Sequence, residues 1–119
     1  MIKVYVLPAI GQLPSSSPFC NKLVVWMRMM GLDHEVRLGK NGDAPRGKFP
    51  YADLDGEIVG DSGLIIERLA AAHGDRLDSW LSDEQRHQAH VLRRVLEESF
   101  YWSVVAARWL DDDGFATLT

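Results

Sequence analysis

Ser15-Ser16-Ser17-Pro18-Phe19-Cys20 separates two kinds of sequence. Before it stands a short apolar run, Ile2 to Leu7; after it comes an amphipathic run that ends at Gly31. Pro18 suits the first position of a helix, where its missing N–H costs nothing and its fixed φ is already helical. Ser17 suits the N-cap, with its side-chain oxygen close to orphan N–H groups. A hydroxyl and, about one turn later, the thiol of Cys20 thus stand at the positive end of a helix, which favours negative charge, a thiolate included. The hexapeptide is equally compatible with a well-capped helix that buries its cysteine.

Outward from this point the pattern is regular. Ile2 to Leu7 alternates and is rich in β-branched and aromatic residues, which predicts a buried strand ended by Pro8. Ala9 to Ser16, with Gly11, Pro14 and its serines, is a loop. Phe19, Leu23, Trp26, Met27 and Met30 follow helical spacing and predict one apolar face on a helix from Pro18 to Met30, stopped by Gly31. His34 to Leu38 reads as a second strand, Val36 and Leu38 on one face. Strand, helix and strand in so little chain form a βαβ unit with parallel strands.

Gly39 to Lys48 is polar and carries Gly39, Gly42, Pro45 and Gly47, an irregular loop with room for one helical turn. Tyr51 to Leu54 and Glu57 to Val59 flank Asp55-Gly56, a two-residue hairpin signal. Asp61-Ser62 then caps a helix containing Leu64, Ile65, Ile66, Leu69 and Ala72 and reaching Gly74. The order β-α-β-loop-β-β-α is an α/β, thioredoxin-like layout over residues 1–74: a four-stranded mixed sheet, expected to carry helices on both faces. Residues 75–81 read as a linker. Ser82-Asp83-Glu84-Gln85 has the form of a capping box. The helix it opens has no breaker before about Leu110, some 40 Å of helix. That is more than the first domain needs, so residues 82–119 read as the start of an all-α second domain, itself incomplete. From Ser99 to Leu110 apolar residues run almost all the way round, and such a surface must be covered. Asp111-Asp112-Asp113-Gly114 reads as a solvated turn.

With 119 residues, 46% apolar and 25% charged, the chain can build an ordinary core for one domain, or for one domain plus part of a second. A net charge of −4 without a Lys/Arg cluster argues against a nucleic-acid surface. No basic segment followed by a long apolar stretch suggests a signal peptide, and no apolar run has the length of a membrane span. One cysteine excludes an internal disulfide and fits a reducing, cytoplasmic compartment.

Ser17-Pro18-Phe19-Cys20, Lys48-Phe49-Pro50, the Asp55-Gly56 hairpin, and Asp61-Ser62 followed by Ile65-Ile66 stand in an order and spacing that resemble the N-terminal domain of the glutathione transferase superfamily. Within it the chain most resembles the failed-axon-connections and metaxin-like group. The long serine- and proline-containing loop, Lys22-Leu23 through Met27-Arg28-Met29, Tyr101-Trp102 and Arg108-Trp109 carry that likeness. The resemblance covers almost the whole chain and implies glutathione as co-substrate. Pro50 would be a cis-proline, and the Phe49 backbone would pair with the cysteinyl backbone of glutathione as an added strand does. Asp61 and Ser62 would meet the γ-glutamyl end, and Lys48 the glycyl carboxylate. Ser17 would stabilise the glutathione thiolate, with Cys20 the alternative active group for thiol exchange. Each residue also has a plain structural reading: Pro50 as a trans edge-strand proline, Asp61 and Ser62 as helix caps.

Members that use a tyrosine near the end of the first strand have it where this chain has Val6 or Leu7; Tyr5 is one place off and should face the other side of the sheet. Glutaredoxin-like members carry cysteine where Ser17 stands. The group also includes members without established catalysis. Three functions therefore compete: a transferase acting on glutathione and a small electrophile, a non-catalytic binding module, and thiol exchange through Cys20. A homodimer is expected. In this superfamily the electrophile pocket lies mostly on the helical domain.

No metal is expected. His87, His90 and Glu84 share a helix face, but Arg86, Arg93 and Arg94 beside them fit a solvated charged surface better. Glu97 and Glu98 splay apart on a helix, and Met27, Met29 and Met30 read as core fill.

Overall fold

The computed structural model describes residues 1–118. They form two compact units, Met1–Ser79 and the chain from Trp80 onward.

The first unit holds β1 (Ile2–Val6), α1 (Pro18–Met30), β2 (His34–Leu38), β3 (Tyr51–Leu54), β4 (Glu57–Gly60) and α2 (Ser62–His73). The strands make one four-stranded sheet in the order β2-β1-β3-β4. β1 and β2 are parallel, as a helical crossover requires; β3 pairs antiparallel with both β1 and β4. Asp55 and Gly56 join β3 to β4 with φ of 55° and 99°, the positive values of the hairpin turn that their identities predict. This is the thioredoxin-like layout.

Alternation along β1 sends Val4 and Val6 to one face. There they meet Ala52 and Val59, Cys20, Leu23, Val24 and Met27 of α1, and Ile65 and Leu69 of α2 in a single core. Each fully buried large side chain of this set contributes about 1.5–3 kcal/mol. Both helices therefore cover the same face, which corrects the expectation of helices on both. The Gly- and Pro-rich segment after β2 cannot meet the cost of nucleating an α-helix and makes only two 3₁₀ turns, Asn41–Asp43 and Pro45–Gly47. On the other face Tyr5 stacks on its register partner Tyr51, centroids 4.6 Å apart and rings within 9° of parallel.

α1 ends at Gly31, whose φ of 67° is the left-handed cap conformation. Its buried face is Cys20, Leu23, Val24, Met27 and Met30. The predicted stripe is thus rotated: the smaller Val24 faces the sheet, Trp26 packs at its edge, Phe19 is only half-buried, and Met29 is exposed rather than core fill. β2 is an edge strand, and the face that carries Val36 and Leu38 is exposed.

In the second unit Ser82 and Gln85 form the capping box that opens α3 (Asp83–Arg94). The expected single helix continues through it but changes pitch. Val95–Phe100 is π-helical, followed by α4 (Tyr101–Trp109). Arg94 pairs with Glu97 and, at 2.9 Å, with Glu98 at the start of the π segment. The expected turn at Asp111–Gly114 is a helix start instead. Asp111 Oδ2 accepts the Gly114 N–H at 3.0 Å and opens α5 (Asp112–Leu118). Gly114 is needed there, because a Cβ would fall 1.8 Å from the Ala107 carbonyl oxygen. Among the described residues no helix is long and apolar enough to cross a membrane.

Candidate functional site

Strand register decides which loops share an end of the sheet. Tyr51 opens β3 opposite Tyr5 in β1 and opposite Gly60 in β4. Lys48-Phe49-Pro50, just before β3, and Asp61-Ser62, just after β4, therefore lie at the end where β1 runs out toward α1. Ser17 stands at the start of α1, and the Ser16 N–H donates to the Pro8 carbonyl at 2.7 Å, fastening that loop back to the exit of β1. One end of the sheet thus gathers Ser17, Lys48, Phe49, Pro50, Asp61 and Ser62.

Ser17 is the N-cap of α1, with φ −92° and ψ 126°; its Oγ accepts the Cys20 N–H at 3.4 Å. A hydroxyl carries one donor and two acceptor positions, so capping leaves the O–H available to donate. Ser17 is half-buried. Cys20 is 0% exposed and packs in the core behind it. Sequence reasoning passed over Ser15 and Asn21. Ser15 is fully buried, its Oγ accepts the Ser17 N–H at 3.2 Å, and the Asn21 side chain bonds its backbone. The signal available was a carboxamide in the first turn of a helix, following a loop with no helix or strand ladder to pair its backbone.

The Phe49–Pro50 peptide bond is cis, and Pro50 is fully buried. The Phe49 ring is tilted against Tyr51, centroids 5.6 Å apart, and lies on the backbone of Gly39, whose N–H extends the β1 ladder to the Val6 carbonyl at 3.0 Å. The Phe49 backbone itself precedes the first paired residue of β3. Lys48 is exposed.

Asp61 has φ 68° and ψ 118°, a conformation that costs a non-glycine residue about 1–3 kcal/mol. It is held by its own cap: Oδ1 accepts the Gly63 N–H at 2.8 Å and the Leu64 N–H at 3.3 Å. Ser62, 5% exposed, is the first residue of α2. The site therefore combines two helix N-termini, both favouring anionic groups, with two serine hydroxyls, a lysine and a carboxylate.

The displaced carboxyl groups lie elsewhere. A hydrogen bond from Arg37 holds Glu35 below the usual carboxylate range, and the terminal ammonium does the same for Asp55 in the hairpin. Both are exposed. Among the described residues no three His, Cys, Asp or Glu side chains converge as metal ligands would, and His90 Nδ1 sits 3.3 Å from Arg93 Nη2.

The family model for the glutathione S-transferase N-terminal domain matches residues 18–114. The chain belongs to this family. The isoprene-epoxide–glutathione S-transferase of Rhodococcus sp. (strain AD45) is 43% identical to it over 124 aligned residues, which cover 98% of this chain and 52% of that protein. Failed axon connections of Drosophila melanogaster is 33% identical over 109 residues, 87% of this chain and 25% of that protein. The chain thus spans about half the length of the first relative and about a quarter of the second. The solved structure of a diazinon-metabolizing glutathione S-transferase from the silkworm Bombyx mori aligns with a TM-score of 0.70 at 16% identity, over 99% of this chain and 62% of that one, a likeness of fold. The superfamily and the failed-axon-connections-like group are those that the motifs resemble.

Proposed function

We propose that this chain binds glutathione and activates its thiol for transfer to an electrophile. The observation that carries the reading is the placement of Ser17: an N-cap whose O–H is left to donate, at the same end of the sheet as Phe49-Pro50 and Asp61-Ser62. The Phe49 N–H and C=O, outside the strand ladder, take the cysteinyl backbone. The N-terminus of α2 and the Ser62 hydroxyl hold the γ-glutamyl carboxylate, while the outer oxygen of Asp61 faces the ammonium. Lys48 takes the glycyl carboxylate. The Ser17 O–H then donates to the sulfur and favours thiolate over thiol.

Residues 1–74 act as the glutathione-binding domain and 82–119 as the start of an all-helical one. The protein works as a cytoplasmic homodimer. The name of the Rhodococcus relative suggests a small epoxide as the electrophile. Sulfur would attack an epoxide carbon, the C–O bond would break, and the resulting alkoxide would take a proton from water. Thiol exchange at Cys20 is disfavoured by its complete burial. A non-catalytic binding module is supported by the likeness to failed axon connections and separates from the transferase by turnover.

The test is retention on immobilised glutathione with elution by the free tripeptide, followed by calorimetry and an epoxide-conjugation assay. Ser62→Ala weakens binding by about 1.5–3 kcal/mol, the contribution of one hydrogen bond to a charged group. Ser17→Ala lowers conjugation by on the order of 100-fold and Cys20→Ser leaves it intact. Retention without turnover selects the binding module. Loss of activity in Cys20→Ser alone assigns the chemistry to thiol exchange.

A further inference from the structure

We infer that Asn21 is a positioning residue for Ser17, an inference that rests on the reading of Ser17 as the thiol-activating group. Asn21 is in the first turn of α1, where side chains lean back toward the N-terminus. Its carboxamide engages one loop residue twice: Oδ1 accepts the Ser15 N–H at 2.9 Å, and Nδ2 donates to the Ser15 carbonyl at 2.8 Å. One side chain thereby does for Ser15 what a neighbouring strand does for a sheet residue. Ser15 is 0% exposed, so water cannot replace either bond, and buried backbone groups require a partner.

The chain of contacts continues to the site. With its backbone fixed, Ser15 turns its Oγ to accept the Ser17 N–H at 3.2 Å. Ser17 in turn caps the Cys20 N–H with its Oγ, and its carbonyl accepts the Asn21 N–H at 3.0 Å. Ser17 is therefore held on its carbonyl side by the main chain of the helix and on its N–H side by Ser15, and the Asn21 side chain acts on it through Ser15. The chemistry selects a carboxamide. Aspartate keeps an acceptor for the Ser15 N–H but loses the donor to its carbonyl, and serine or threonine is too short to offer both groups.

The experiment uses the full chain with reduced glutathione and two readouts. The first is the pH midpoint at which the bound thiol ionises, followed by thiolate absorbance. The second is amide hydrogen exchange at Ser15 and Ser17 without ligand. Asn21→Ala is expected to speed exchange at both amides by about tenfold, the factor that corresponds to one net hydrogen bond, and to leave Leu23 and Val24 unchanged. It raises the thiol midpoint part of the way that Ser17→Ala raises it, and adds nothing in the Ser17→Ala background. Asn21→Asp falls between wild type and Asn21→Ala. Ser15→Ala removes only the bond to the Ser17 N–H, keeps both Asn21 contacts, and reproduces the midpoint shift; it carries the test if Asn21→Ala does not fold. Unchanged exchange at Ser15 and Ser17 in Asn21→Ala overturns the inference. So does an unmoved midpoint in Asn21→Ala and Ser15→Ala while Ser17→Ala moves it, which leaves the role of Ser17 standing. An unmoved midpoint in Ser17→Ala removes Ser17 from the chemistry, and the role of Asn21 falls with it.

Discussion

At the residue scale, Gly39 is fixed by the ring of Phe49. A Cβ at Gly39 would lie 2.0 Å from Phe49 Cε1 and 2.8 Å from Cδ1, so Gly39→Ala must displace the ring from its contacts with Tyr51 and the core. Overpacking of this kind costs about 1–3 kcal/mol. Gly39→Ala should lower stability to denaturant by that amount and weaken glutathione binding, because Phe49 carries the backbone proposed to pair with it. In a Phe49→Ala background the same substitution should cost less than about 0.5 kcal/mol, since the two effects share one space. An equal cost in both backgrounds would show that the clash is relieved elsewhere. Much of the site was legible in the sequence, but for different reasons at different positions. Ser17, Pro18 and Asp61 announce themselves because capping is a local rule linking residue type to a position a few residues away. Gly39 gave only a loop signal, because its partner stands ten residues further on and the contact exists only once β1, β2 and β3 are assembled. Ser15 and Asn21 were missed for a related reason: a side chain that pairs with buried backbone is recognised only when the loop is known to be buried.

At the element scale, helices and hairpin were readable wherever punctuation coincides with periodicity. α1 begins at Pro18 and ends at Gly31, and Asp55-Gly56 joins β3 to β4, as their residues demand. The π segment at Val95–Phe100 was not readable, because widening one turn needs no breaker and leaves the apolar pattern nearly intact. α5 was misread because Asp followed three residues later by Gly serves both a turn and a capped helix; the close approach of Gly114 to Ala107 favours the helix. The proposed homodimer would rest on these helices. Phe100, Trp102, Trp109 and Leu110 are each more than half exposed. A run of large apolar side chains of this kind calls for cover, which a second copy of the chain would supply in the proposed homodimer. Light scattering should therefore give twice the chain mass of 13.4 kDa, and Trp102→Glu should shift the species toward the monomer. A wild-type species of single chain mass would exclude the homodimer.

At the scale of the whole first unit, one core connects every part of the site. Ser17 leads into α1, Ser62 opens α2, and both helices bury their inner faces against Val4, Val6, Ala52 and Val59. Arg76 extends this unit past the end of α2 by donating to the Met30 carbonyl at 3.2 Å, which ties the chain before Ser79 to the end of α1. A ligand that touches both helix starts and the strand between them is bound only when the whole arrangement is present, so its binding energy is shared by the entire core. Glutathione at a hundred times its Kd should stabilise the unit by about 2.7 kcal/mol. That amounts to about a hundredfold slower hydrogen exchange wherever exchange needs global opening. The amides of Val4, Leu23, Ala52 and Ile65 should slow by one common factor, because they lie on β1, α1, β3 and α2 of a single cooperative core. The factor should shrink in step with the measured loss of affinity in Ser62→Ala. If Ile65 slows while Leu23 does not, the ligand engages only Asp61-Ser62 and the part assigned to the start of α1 is wrong.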